Sequence, residues 1–424
     1  MSTSRIHHWP TLRLGDVAEF QNGGAWKADE YSETGIRVVQ VTNCQEGTID
    51  LNNCKYISIG SYQKYSKHEL RTNDLITATV GSHPTQPGSV VGRTSVVPPS
   101  AAGALLNQNA VRLRTMPQVL EQRFLNHFSK TIAFRNYIIA HARGAANQVR
   151  MSIELLKEMP VPAPPLRTQR CIASVLSAYD DLIENNTRRI AILEEMARRL
   201  YEEWFVQFRF PGHEEAETEG ELPKGWLGKE LGDLATETRD AIHPSQVPGE
   251  TPYVGLEHIP RRSITLNDWS TADSVGSSKL LFKRGDILFG KIRPYFHKVV
   301  IAPLDGVCST DTIVLRPKSQ KLSALVLCCA SSDTFVKHAT QTSNGTKMPR
   351  ADWKVLRHFP VVVPAETILA QFNSCLEPIV RHTRTLMFKN ANLRAQRDLL
   401  LPKLISGEID VSNLPLPGSE DQAA

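Results

Sequence analysis

The chain repeats itself, and this constrains its fold more than any other feature. Leu14-Gly15-Asp16-Val17-Ala18 returns as Leu231-Gly232-Asp233-Leu234-Ala235. Leu70-Arg71-Thr72-Asn73-Asp74-Leu75-Ile76 returns as Phe282-Lys283-Arg284-Gly285-Asp286-Ile287-Leu288. Ala110-Val111-Arg112-Leu113-Arg114 answers Thr312-Ile313-Val314-Leu315-Arg316, and Met159-Pro160-Val161 answers Phe359-Pro360-Val361. The order is preserved while the separation shrinks through small deletions. A period this long is no solenoid; it is a tandem duplication of one two-part unit.

Each unit has a variable part followed by a helical part. Their spans are 9–159 and 160–211 in the first unit, and 224–359 and 360–408 in the second. The acidic stretch 212–223 links them, and the tail 409–424 is expected to be disordered. Short β-type runs (Ile36 to Val41, Asp286 to Phe289, Lys298 to Ile301, Thr312 to Leu315) lie between Gly, Pro, Asn and Asp. Helical stretches from Val119 to Ala140 and from Ala324 to Ala339 make both variable parts mixed α+β.

The helical parts carry the strongest periodicity. Leu176, Tyr179, Ile183, Asn186, Ile190, Leu193, Ala197, Leu200 and Trp204 alternate spacings of three and four. So do Leu376, Ile379, Thr383, Leu386, Asn390, Leu393, Arg397, Leu400 and Leu404. This predicts two long coiled-coil helices of roughly 55–65 Å. Pro211-Gly212 should stop the first, and Pro402 should kink or end the second. Asn186 and Asn390 are either register-setting polar pairs or partly exposed seam positions. Arg397 is expected at an exposed or frayed end.

Motifs for catalysis are missing. The sequence has no dinucleotide-binding glycine fingerprint, no Walker A loop, no nucleophile elbow and no Asn/Asp-Pro-Pro-aromatic methyltransferase signature. His213-Glu214-Glu215 does not continue as a zinc motif, and no metal site is expected. The seven cysteines, an odd number without a CxxC pair, read as reduced and mostly buried thiols. No apolar run approaches a membrane span and the N-terminus lacks a signal-peptide core, which predicts a cytoplasmic protein with no membrane partner.

What remains is basic and polar. The net charge is only +5, yet Lys279, Lys283, Arg284, Lys291, Arg293 and Lys298 stand against Asp286 alone in one short segment. Tyr295, Phe296 and His297 interleave with them. Cations among planar side chains suit phosphate contact and base-edge reading; the competing account is a solvated lysine-rich face. In the first unit Lys64, Lys67 and Arg93 are candidates, with the amides of Asn107, Gln108, Asn147 and Gln148 able to pair with adenine. Arg150, and Lys347 with Arg350 at the matching place, suggest a recurring backbone contact near the end of each variable part.

This layout resembles the specificity subunits of type I restriction–modification systems. The resemblance covers about 9–410 and rests on Leu14-Gly15-Asp16-Val17-Ala18, Gly103 to Asn109, Asp286-Ile287-Leu288-Phe289-Gly290-Lys291-Ile292-Arg293-Pro294 and Leu401-Pro402-Lys403-Leu404-Ile405-Ser406-Gly407. It implies an α+β chain: two mixed α/β target recognition domains, separated by two long antiparallel coiled-coil helices, with internal pseudo-twofold duplication. It further implies double-stranded DNA as partner, one domain per half of an asymmetric site, and helices that set the spacer. Two adenine-methyltransferase subunits carrying S-adenosylmethionine, and motor–nuclease subunits, would complete the complex. The chain itself would bind no cofactor and catalyse nothing. The alternatives at this point are a coiled-coil scaffold that binds no DNA, and a non-catalytic remnant of a fused restriction enzyme.

Overall fold

In the computed structural model, residues 9–86, 89–144 and 149–415 are described. The chain divides into two compact units, Met1–Asp181 with Arg394–Ala424, and Leu182–Leu393. Two long helices, α1 (Leu166–Tyr201) and α2 (Glu366–Ser406), each contribute to both units.

The two units repeat one topology. In the first, a four-stranded sheet is built from β1 (Ala18–Asn22), β2 (Leu75–Ala78), β3 (Thr94–Val96) and β4 (Ala110–Thr115), in the order β3-β2-β4-β1. In the second, β5 (Ala235–Thr238), β6 (Ile287–Gly290), β7 (Val299–Ile301) and β8 (Thr312–Pro317) run in the order β7-β6-β8-β5. Every pairing in both sheets is antiparallel. A second sheet in each unit contains one parallel pair, Leu105–Leu106 with Ile36–Val39 and Gly306–Cys308 with Pro252–Val254. A two-stranded ribbon closes each variable part, Thr11–Arg13 on Pro160–Pro162 and Leu227–Glu230 on Pro360–Val363.

Side-chain alternation explains why β6 is apolar throughout. Ile287 and Phe289 enter the core formed with Ser323–Ala330, while Leu288 enters a second core with Val254, Phe282 and Val300. With both faces covered, the period-two pattern disappears and only a short apolar run is left. β2 repeats this, with Leu75 in one core and Ile76 in another. At the entry of each strand an aspartate caps the turn and pairs with an arginine across the sheet. Asp74 accepts from Arg71 N and holds Arg114 at 2.8 and 2.6 Å; Asp286 accepts from Lys283 N and holds Arg316 at 2.8 and 2.7 Å. These repeated strings therefore build the turn.

The seam follows the heptads. Leu176, Ile183, Asn186, Ile190, Ala197 and Trp204 are buried on α1, and Leu376, Ile379, Thr383, Leu386, Asn390 and Leu404 on α2; Tyr179, Leu193 and Leu393 are half-buried. Within each unit the helices run antiparallel. In the first, Leu176 shares a core with Leu401, Leu404 and Ile405. In the second, Asn186 bonds Asn390, Ile190 meets Leu386, and Phe205 meets Phe372.

Several expectations are corrected. Pro402 does not end α2, which runs to Ser406 and is closed by Gly407 at φ +81°. The proline ring lies on the exposed side while Leu401, Leu404 and Ile405 are buried, so packing outweighs one missing hydrogen bond. α1 ends earlier than Pro211, in a π-turn Glu202–Val206 followed by Phe208 at φ +56°. The helical stretches of the variable parts are each broken in two: Thr131 and Ser332 cap Ile132–His141 and Asp333–Gln341 by accepting from Phe134 N and Phe335 N. Arg397 is no frayed end but half-buried, donating to Asp180 at 2.6 Å. The start of the tail is packed: Val411 is buried in the first unit's core, and Arg167 donates to the carbonyls of Ser412 and Leu414. Residues 416–424 lie outside the described residues. The linker holds a small hairpin, Thr218–Glu219 with Leu222–Pro223.

All seven cysteines are free, and all but Cys375 are buried. Among the described residues no helix is long and apolar enough to cross a membrane, and no group of three or more His, Cys, Asp or Glu is arranged to hold a metal ion.

Candidate nucleic-acid interface

The basic segment of the second unit is contiguous in sequence but not in space. Lys283 and Arg284 precede β6, whereas Lys291 and Arg293 follow it, so the strand sends them to opposite ends. Lys279 is buried, its ammonium held by Ser277 O and Oγ at 2.9 and 2.8 Å and lying 5.6 Å from the Tyr253 ring centroid. Lys283 is exposed.

The exit end of β6 forms the more constructed site. Ile292 bridges to Arg350, Arg293 N donates to Pro349 O at 2.7 Å, and Ala351 N donates to Lys291 O. The loop carrying exposed Lys347 and Arg350 is thereby stitched to the turn carrying Lys291 and Arg293. Arg350 faces Asp311 at 3.5 Å, and the Lys291 ammonium donates to Thr310 O. A third strand of chain joins them, because Arg262 N donates to His297 O at 2.8 Å. This sets Arg261 over the Phe296 ring at 4.0 Å, with Arg293 6.0 Å from the same centroid. Tyr295 stands half exposed, edge-on to Phe296 at 4.8 Å.

The backbone here is unusual. Arg262, Arg293 and His297 all have positive φ, at 56°, 50° and 53°. A long side chain adopts this region only when its surroundings impose it, at on the order of 1–3 kcal/mol each. His297 is part of what imposes it. It is buried, donates from Nε2 to Ser331 O at 2.8 Å, and burial pushes its pKa down. It therefore shapes the turn from inside. The Lys298 ammonium donates to Leu256 O; burial and then nearby Arg261 lower its pKa.

The first unit has the same stitch with different chemistry. Val80 pairs with Arg150 and Gly81 with Val149, the counterparts of Ile292 with Arg350. Gly81 thus stands where the second unit has Arg293, and a Cβ there would lie 2.5 Å from Val90 Cγ2. Arg150 is exposed. Arg93 donates to the carbonyls of Cys44 and Ser89, and buried Asn107 donates to Gly24 O at 3.2 Å, so both are engaged by the protein's own backbone. Gln108 and Lys67 are exposed. Exposed Lys64, some distance along the chain, pairs with Glu30 and, with Tyr65, holds that carboxyl down at about 2. Asn147 and Gln148 lie outside the described residues.

Sequence reading missed Arg261. Its neighbour Arg262 is joined to the turn only by a backbone hydrogen bond between residues far apart in the chain, and no local pattern announces that.

A duplicated α+β unit threaded by two long antiparallel helices, with a cationic aromatic turn in one copy, defines a narrow structural class. Residues 7–195 match the family model described as the type I restriction modification DNA specificity domain. The chain is 27% identical over 312 residues to the type I restriction enzyme MjaIX specificity subunit of Methanocaldococcus jannaschii, covering 69% of this chain and 70% of that protein. It is 25% identical over 299 residues to the EcoDI specificity subunit of Escherichia coli, covering 60% of this chain and 66% of that one. The crystal structure of a type I system S subunit from M. genitalium has the same fold, with a TM-score of 0.58 at 15% identity, over 93% of this chain and 96% of that one. Over these stretches the chain is similar to type I restriction–modification specificity subunits.

Proposed function

We propose that this chain is the DNA-reading subunit of a type I restriction–modification complex. Each unit reads one half of a split site, and the site is asymmetric because the two units present different side chains at equivalent places. The observation that carries this reading is the repeated stitch at the ends of β2 and β6, with Gly81 in one copy and Arg293 in the other. Two matched frames with unlike contact surfaces suit a bipartite target better than a scaffold, whose two faces would have no reason to diverge there.

The helices α1 and α2 set a non-specific spacer and dock two adenine-methyltransferase subunits, which hold S-adenosylmethionine. Motor–nuclease subunits join this assembly to cut unmodified DNA. The chain itself positions and does not catalyse, and it works in the cytoplasm.

The test is single-molecule methylome sequencing of a host expressing this chain with its cognate methyltransferase, against a strain lacking only this chain. The reading expects a split, asymmetric motif with adenine methylation that vanishes in the deletion strain. A methylome that stays unchanged with both proteins expressed would refute it.

A further inference from the structure

The turn at the exit of β6 holds two arginines that the protein itself does not satisfy. Neither Arg261 nor Arg293 makes an ion pair or a side-chain hydrogen bond among the described residues, and the buried Nε of Arg293 has no acceptor. Two carboxylates around the turn are committed elsewhere: Asp333 is 2.7 Å from Arg262 and Asp311 is 3.5 Å from Arg350. Two like charges flank one ring, Phe296, in a turn forced into three left-handed residues. A buried guanidinium N–H without an acceptor carries a desolvation penalty that nothing in the protein offsets. An arrangement this costly, and this rigidly held, points to an anion from outside.

We propose that Arg261 and Arg293, set on Phe296, form a clamp for one phosphodiester of the DNA backbone, present in the second unit alone. This rests on the DNA-specificity reading above and adds to it that the two units bind unequally. Guanidinium forks match phosphate oxygens, and a contact to the backbone positions the duplex without reading sequence. In the first unit the matching residue is Gly81, against which Val90 packs, so no side chain reaches out from that place. The second unit therefore anchors the duplex, and the first contributes less of the salt-dependent affinity.

The experiment uses the full chain assembled with its cognate methyltransferase. Two labelled duplexes serve as probes, one carrying the site defined by the methylome and one with that site scrambled. Affinity is measured by fluorescence anisotropy across a salt series for wild type, Arg261→Ala, Arg293→Ala and the two Arg→Lys variants. Each alanine variant should weaken both duplexes on the order of tenfold, and the slope of log affinity against log salt should shrink by ~0.9 per lost contact. Each lysine variant should keep most of that slope, since a point charge still reaches phosphate. An alanine variant that disrupts the turn is recognised by its lysine counterpart failing as well, and joint failure with an unchanged slope overturns the clamp. A loss confined to the cognate duplex overturns it too, in favour of base reading. If wild type binds while all variants keep its slope, the clamp alone is wrong. If the wild-type complex shows no salt-dependent affinity, the specificity reading falls with it.

Discussion

The buried amide pair on the helix seam gives a prediction whose size can be worked from its contacts. Asn186 Nδ2 donates to Asn390 Oδ1 at 2.9 Å, and Asn390 Nδ2 reaches Ile183 O and Thr187 Oγ1, each at 3.3 Å. Asn390 is 2% exposed and Asn186 8%, so water cannot readily replace a lost partner. Asn186→Leu leaves the Asn390 carbonyl oxygen without its donor, and Asn390→Leu leaves the Asn186 amide without its acceptor. Each should cost about 1–3 kcal/mol. At about 2–4 °C per kcal/mol for a unit of this size, thermal melting followed by circular dichroism should fall by roughly 2–12 °C. The double variant removes both polar groups at once and extends the contact of Ile190 with Leu386. It should recover to wild-type stability or exceed it, giving a coupling energy close to the summed cost of the two single variants. A double variant as unstable as the two singles summed would refute the pairing, and silent single variants would mean the pair is solvated.

Two further outcomes follow from packing and charge. His127 is 3% exposed, its pKa pushed down to about 3 by burial and then by Lys130, against an ordinary value of 6.5. Its folded pKa is depressed because the neutral ring is favoured. Its contribution is therefore intact above about pH 6.5 and lost as pH falls toward 3, amounting to about 2 kcal/mol at about pH 5. Urea unfolding at the two pH values should show this loss in the first unit, and His127→Leu should flatten it; an equal acid slope in the variant would count against the assignment. Phe372, fully buried between Trp204 at 5.8 Å and Phe205 at 4.7 Å, should cost the second unit about 3–5 kcal/mol on substitution by alanine. Limited proteolysis should then cut the second unit first, and equal protection of both units would contradict the packing.

Much of the architecture was legible because it depends on local repetition. Heptad spacing places Ile183, Asn186 and Ile190 on one stripe wherever the helix packs. The Asp-containing strings mark the turns before β2 and β6 because a short carboxylate caps a turn from within it. The candidate site was only partly legible. A run of cations says nothing about which end of a strand each will occupy, and β6 separates Lys283 from Lys291. Nor does a polar residue announce that it will be buried: Asn107, Lys279 and His297 look like surface readers in sequence, yet each bonds the protein's own backbone. Arg397, unremarkable on the seam, closes an ion pair with Asp180.

Reading along the chain already gives a tandem duplication, a long apolar-striped helix in the second half of each unit, and strings that resemble those of type I specificity subunits. These follow from periodicity and order, which are properties of neighbours along the chain. Long-range packing brings Asn186 to Asn390, carries the helix through Pro402, and places Arg261 and Arg293 on one ring. Each of those depends on groups far apart in sequence whose free energies are settled by burial and by the partners that burial supplies.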